Sequence, residues 1–156
     1  MIEKLFPLIG TWKGDGTAKF PTIKTVEYME KIEFSRIGSN PVIFYEQKTW
    51  YLQDGNRGGD LHHESGYINV KEDGNYEVSN SQDNGRVEVL TGKIIEMGDS
   101  SFHFSLESKL FCNDERMDKT IRDYYVTGST MRYELKMATK NTPELQVHLE
   151  AILNKI

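Results

Sequence analysis

The sequence predicts an all-β domain of about ten antiparallel strands, closed into an up-and-down barrel. Three observations predict it. Turn-forming Gly, Asn and Asp residues recur along the whole length, as in Gly38-Ser39-Asn40-Pro41, Asp54-Gly55-Asn56, Asp83-Asn84-Gly85 and Thr127-Gly128-Ser129. Short runs rich in Tyr, Phe, Val, Ile and Thr lie between them. Several of these runs alternate apolar and polar residues with the two-residue period of a half-buried strand. Hairpin-type turns follow one another without long crossovers, and closure leaves no strand edge unpaired, so a barrel is favoured over a sandwich.

Taken in order, the chain starts with a short apolar patch, Leu5, Phe6, Leu8 and Ile9. It has no long apolar core and no small-residue cleavage site, so no signal peptide is read there. Gly10-Thr11-Trp12-Lys13-Gly14-Asp15-Gly16 follows. It lacks the Gly-Lys-Ser/Thr of a phosphate loop and opens no helix. Glycines in a first barrel strand permit bends and close backbone approach, and Trp12 is expected to plug one end of the barrel. Glu27, Glu30 and Glu33 read as a solvated face. Val42 to Leu52 is apolar on both faces at several points. Phe102, Phe104 and Leu106 alternate with His103, Ser105 and Glu107, which places His103 toward solvent. Cys112, the single cysteine, reads as a small buried or partly buried residue. Met131, Tyr133, Leu135 and Met137 alternate with Arg132, Glu134 and Lys136.

The segment from Thr142 to Lys155 resists this pattern. Thr142 and Pro143 suit a helix start, and Leu145, Leu149 and Ile152 have helical spacing. Leu145, Val147, Leu149, Ala151 and Leu153 alternate as a strand would. Its own residues lean slightly toward helix.

The bulk numbers set bounds. A chain of 156 residues is the size of one domain, 1–156, large enough for a core or an internal cavity. A net charge of −5, with scattered basic residues, argues against nucleic acid or an anionic membrane as partner. One cysteine rules out a disulfide within the chain and a zinc site of two or more thiolates, which fits a reducing, cytoplasmic setting. No apolar stretch approaches the ~20 residues of a membrane-spanning helix.

Six segments carry a resemblance: Gly10 to Gly16, Phe20-Pro21-Thr22-Ile23, Tyr45-Glu46-Gln47-Lys48-Thr49-Trp50, Leu61-His62-His63-Glu64-Ser65-Gly66-Tyr67, Met137-Ala138-Thr139, and His148-Leu149-Glu150-Ala151-Ile152-Leu153. In this order and spacing the set resembles the nitrobindin family, haem barrels of the lipocalin and fatty-acid-binding-protein kind. The resemblance covers nearly the whole chain. It implies a ten-stranded barrel, which turns the last segment into a strand, and one ferric haem b. It implies that His148 is the axial iron ligand, that Leu61 and His62 lie near the distal side, and that Met137 lies near the haem wall. It further implies reversible binding of nitric oxide and isomerisation of peroxynitrite to nitrate. Thr22, in the second segment, joins the cofactor-binding set. Lys48, Ala18 and Lys155 depart mildly from the family pattern, and His63 adds a second imidazole beside His62.

Read from periodicity alone, His148 is a surface histidine beside Gln146 and Glu150, and the resemblance reverses that. Adjacent residues of a strand face opposite ways, so at most one of His62 and His63 looks inward. Arg122 could pair with a haem propionate, since a guanidinium suits carboxylates, but reads first as an exposed strand residue. No Ser/His/Asp or Cys/His nucleophile arrangement has support. The alternative function is a haem-free carrier of a fatty acid or another apolar ligand, since barrels of this size enclose such cavities. A two-fold homodimer is the default assembly.

Overall fold

A computed structural model describes residues 1–19 and 24–156. A 3-10 helix, Ile2–Leu8, leads into ten strands. They are β1 (Gly10–Ala18), β2 (Val26–Arg36), β3 (Val42–Gln53), β4 (Asn56–Val70) and β5 (Tyr76–Gln82), then β6 (Val87–Met97), β7 (Ser101–Cys112), β8 (Met117–Thr127), β9 (Thr130–Thr139) and β10 (Gln146–Lys155). Each strand pairs antiparallel with its neighbour in sequence, and β1 pairs with β10 to close the ring. The expected up-and-down barrel is therefore the fold. Among the described residues, no helix is long and apolar enough to cross a membrane.

Tight turns set the registers. Between β3 and β4, Asp54 (φ 51°) and Gly55 (φ 76°) both adopt positive φ. A two-residue hairpin turn whose twist matches its strands needs that backbone, and Asp-Gly supplies it. The predicted alternation of β9 holds from Met131 to Leu135, with Met131, Tyr133 and Leu135 buried. In β7, Phe102, Phe104 and Leu106 are likewise buried.

One end of the barrel is sealed. Trp12 is fully buried, and its indole N–H donates to the Leu8 carbonyl at 2.8 Å. The 3-10 helix packs Leu5 and Leu8 against it. Phe34, Phe104, Tyr124 and Met131 fill the space above. Each such side chain contributes roughly 1.5–3 kcal/mol of burial. The glycines of the first motif have steric reasons. A Cβ at Gly14 would lie 2.0 Å from the Ile152 carbonyl oxygen, and one at Gly16 would lie 2.6 Å from the Tyr28 ring.

Residues 146–155 form the strand that the family resemblance implied, against the slight helical lean of their own spacing, because β10 hydrogen-bonds to β1 on one side and β9 on the other. A helix there would leave two strand edges unpaired. Glu30, placed on a solvated face with Glu27 and Glu33, is only 2 % exposed and points into the barrel. Arg122, read first as exposed, is 3 % exposed and also interior. Cys112 is exposed rather than buried, because it ends β7 at the rim. His103, placed toward solvent, lies on the outer face but is partly covered. It stacks on Tyr125 at 4.1 Å and sits 2.8 Å from Asp123 Oδ1.

Candidate functional site

A cavity of about 420 Å³ occupies the other end of the barrel, where β1 finishes and β10 begins. Its outer walls are apolar and include Leu61, Met117, Leu135, Met137 and Leu149. Lys19, Arg86 and Arg116 also line it, the two arginines both paired with Asp114. His62 and His148 also face it.

His148 reaches the cavity through an irregularity in β10. Val147 pairs with Lys136 and Leu149 with Leu135, so His148 is an extra residue in the ladder. A bulge of this kind re-aims a side chain, and here it removes the outward direction that strict alternation would give. Two bonds to Lys19, just past the end of β1, fix the residue. The Lys19 N–H donates to the His148 carbonyl at 2.7 Å, and His148 Nδ1 lies 3.0 Å from the Lys19 carbonyl oxygen. A carbonyl only accepts, so Nδ1 carries the proton and Nε2 is the basic nitrogen of the neutral ring. Burial lowers the His148 pKa, the Lys19 carbonyl opposes this, and Arg86 and His62 add to the lowering. The neutral, ligating form is thus favoured.

A second irregularity shapes the facing wall. In β4, His62 pairs with Thr49 and Asp60 with Trp50, which leaves Leu61 as the extra residue. Leu61 and His62 both line the cavity, whereas His63 turns outward to Glu46 at 3.3 Å. His62 Nε2 lies 3.0 Å from Glu64 Oε2.

The inner wall is polar and charged. Arg122 donates through both terminal nitrogens to Glu64 and through one of them to Glu88 at 2.6 Å. The Tyr45 hydroxyl donates to Glu64 at 2.8 Å, and Thr120 donates to Glu88. Gln47 donates to Glu30. Burial raises the Glu64 pKa, but Arg122 and His62 outweigh it and hold the group well below the usual carboxylate range. For Arg122, burial is outweighed by Glu64 and Glu88, which keep the guanidinium charged.

Five residues singled out from the sequence, His148, His62, Leu61, Met137 and Arg122, therefore meet at one cavity. Thr22 and the Phe20 to Ile23 motif lie outside the described residues. The carboxylates expected of a ligand's propionates at Arg122 are supplied by the protein itself, as Glu64 and Glu88. Sequence reasoning missed those two, and the cations Lys19, Arg86 and Arg116. Glu64 had a signal, since it lies two residues from His62 and so shares its face.

The donor set suits haem. Among the described residues, no group of three or more His, Cys, Asp or Glu side chains is placed to hold a bare metal ion. One oriented imidazole is enough for iron that a macrocycle already holds. The apolar walls suit a porphyrin, and the cations suit its propionates.

Known proteins give the same answer. Residues 1–155 match the family model described as the THAP4-like, heme-binding beta-barrel domain. The peroxynitrite isomerase Rv2717c of Arabidopsis thaliana is 39% identical over 155 residues, covering 99% of this chain and 89% of that protein. Peroxynitrite isomerase 1 of Mycolicibacterium paratuberculosis is 33% identical over 160 residues, covering 99% and 94%. The crystal structure of Rv2717c from M. tuberculosis superposes with a TM-score of 0.86 at 31% identity, covering 99% of this chain and 96% of that one. A barrel closed by β1 and β10, with a bulged histidine facing its cavity and a family match along nearly its whole length, belongs to the THAP4-like haem-binding β-barrel family, the nitrobindins.

Proposed function

We propose that the chain binds one haem b in this cavity with His148 as the axial iron ligand, and that the haem protein isomerises peroxynitrite to nitrate. The observation that carries the reading is the His148 imidazole, turned into the cavity by a bulge and held through Nδ1 by the Lys19 carbonyl. The names of the relatives, peroxynitrite isomerases, supply the reaction. Nitric oxide is a second small ligand of the same centre.

When bound, the haem supplies a ferric Lewis-acid centre for rearranging the peroxynitrite oxygens, and product and reactant have the same atoms. The chain's own work is binding and orientation. His148 presents Nε2 as the basic nitrogen, with its ring plane fixed from behind by Lys19. Leu61, Met137 and Leu149 line the cavity and would shield a bound porphyrin from water. Lys19 would meet a propionate, with Arg86 and Arg116, both bonded to Asp114, adding their charge nearby. Glu64 holds His62 against the cavity wall. No protein acid or base is needed, since no proton is gained or lost overall. A haem-free carrier of a fatty acid fits less well, because an alkyl tail would lie against Glu64 and Arg122.

The test is absorbance of the haem-reconstituted protein, followed by nitrate yield from peroxynitrite. A Soret band that His148→Ala removes, and a holo-protein that accelerates decay to nitrate, support the reading. No band on reconstitution refutes the haem site, and an unchanged nitrate yield refutes the isomerase.

A further inference from the structure

The interior charges do not balance. Three carboxyl groups, Glu30, Glu64 and Glu88, stand against one guanidinium, Arg122, and none of the four is more than 3 % exposed. Arg122 contacts Glu64 and Glu88 and leaves Glu30 without a direct cation. Glu30 sits behind the inner wall of the cavity. Gln47 and Tyr28, which flank it, are lining residues of that wall.

Gln47 donates to one Glu30 oxygen. The other oxygen, Oε2, and the neighbouring Tyr28 hydroxyl are both buried and close no hydrogen bond among the described residues. Native interiors rarely leave such atoms alone, so a pair of them side by side marks a place built to hold something small and polar. A proton shared between them would satisfy both.

We propose that Glu30, with the Tyr28 hydroxyl, is a proton-holding site behind the cavity, and that its protonation sets which ligand charge the cavity accepts. With the proton on Glu30, the inner wall tolerates an anion. With Glu30 ionised, the wall carries one more negative charge and disfavours anions relative to neutral ligands. By linkage, an anion that binds draws a proton onto Glu30. This second part rests on the haem reading, and the first part does not.

The surroundings fit the assignment. On its own strand Glu30 faces Tyr28, and from β3 it faces Gln47. Glu64 on β4 repels its charge, and Arg122 on β8 attracts it. Tyr124 and Tyr133 also feel it, from β8 and β9. On β1 its partner is Gly14, which offers no side chain. Burial is the strongest influence and pushes the carboxyl up to about 7, against the lowering by its Gln47 hydrogen bond. The proton is therefore exchanged near neutrality, where ligand binding takes place.

Two measurements test the proposal. The first needs no haem: infrared spectroscopy of the haem-free barrel at about pH 6 and about pH 8, bracketing the titration. A protonated-carboxyl band should be present at the lower pH, weaken at the higher, and be missing in Glu30→Gln. Tyr28→Phe should keep the band and shift its frequency. Absence of any such band from the wild-type protein at the lower pH overturns the assignment, with no variant required.

The second measures azide affinity of the haem-loaded protein over the same pH range. Wild type should lose roughly tenfold more affinity than Glu30→Gln, the order expected of one added charge at an effective dielectric of about 20. Nitric oxide affinity should change alike in both. Equal azide slopes in the two proteins overturn the ligand-charge role. Failure to load haem at all strikes the functional reading and leaves the infrared result standing.

Discussion

Arg122→Met tests the interior charge network most directly. The substitution keeps much of the aliphatic volume and removes the cation between Glu64 and Glu88. Glu64, fully buried, must then either stay charged without its main partner or take up a proton at neutral pH. Protonating a carboxyl of ordinary pKa 4.5 at pH 7 costs about 3 kcal/mol, at about 1.36 per unit. Glu88, equally buried, adds to that, so a loss of about 3–5 kcal/mol is expected, the usual cost of breaking a buried ion pair. Domains of this size have only about 5–15 kcal/mol in total.

The pH dependence supplies a sharper sign. In the wild type, the lowered Glu64 pKa contributes stability above its unfolded value, and that contribution is lost on acidification. In Arg122→Met, burial dominates and the Glu64 pKa is raised. The variant should then gain stability, relative to wild type, as pH falls from neutral toward the ordinary carboxylate value. Urea denaturation of the haem-free proteins at several pH values measures both quantities. A loss under about 1 kcal/mol, with parallel pH curves, would falsify the network as the organiser of the interior.

Other outcomes follow from the same geometry. His148→Ala should abolish the Soret band of the reconstituted protein while far-ultraviolet circular dichroism keeps its β signature, and a retained band would place the iron ligand elsewhere. Haem release on acidification should be centred below the ordinary histidine value of 6.5, because burial lowers the His148 pKa and keeps the neutral imidazole further into acid; a spectral titration reads it. Gly14→Ala should destabilise the barrel by at least about 1–3 kcal/mol in thermal or urea unfolding, since its Cβ meets the Ile152 carbonyl at 2.0 Å and backbone has to move. Glu30→Gln should flatten the stability change between about pH 5 and about pH 8. A carboxyl raised to about 7 gives stability in acid that fades as pH rises through that value, and glutamine gives no such slope.

The barrel was legible because its cause is local. Asp54-Gly55 and Gly128-Ser129 announce hairpins, and Met131-Tyr133-Leu135 shows its inward face by hydrophobicity alone. The interior charges were not legible for the same reason. Alternation assigns faces by polarity, so Glu30 and Arg122 were sent outward, although they lie two residues from inward Tyr28 and Tyr124. What keeps such groups inside is mutual satisfaction across the barrel, between strands far apart in sequence. His148 escaped for a different reason. A bulge shifts the parity of every residue beyond it, and β10 shows the shift only against its partner strand. The last segment leaned toward helix because its spacing serves both periods, and only closure by β1 and β9 decides between them.

The bond between His148 and Lys19 joins the two ends of the ring, where β10 pairs with β1 across more than a hundred residues of chain. The imidazole is therefore positioned at the seam, where the tenth strand of the barrel closes against the first. A growing or truncated chain that lacks residues 146–156 has neither the imidazole nor its clasp, and an unzipped seam disarms both together. If His148 takes the iron as proposed, its capture would report that the whole circuit of ten strands has been completed.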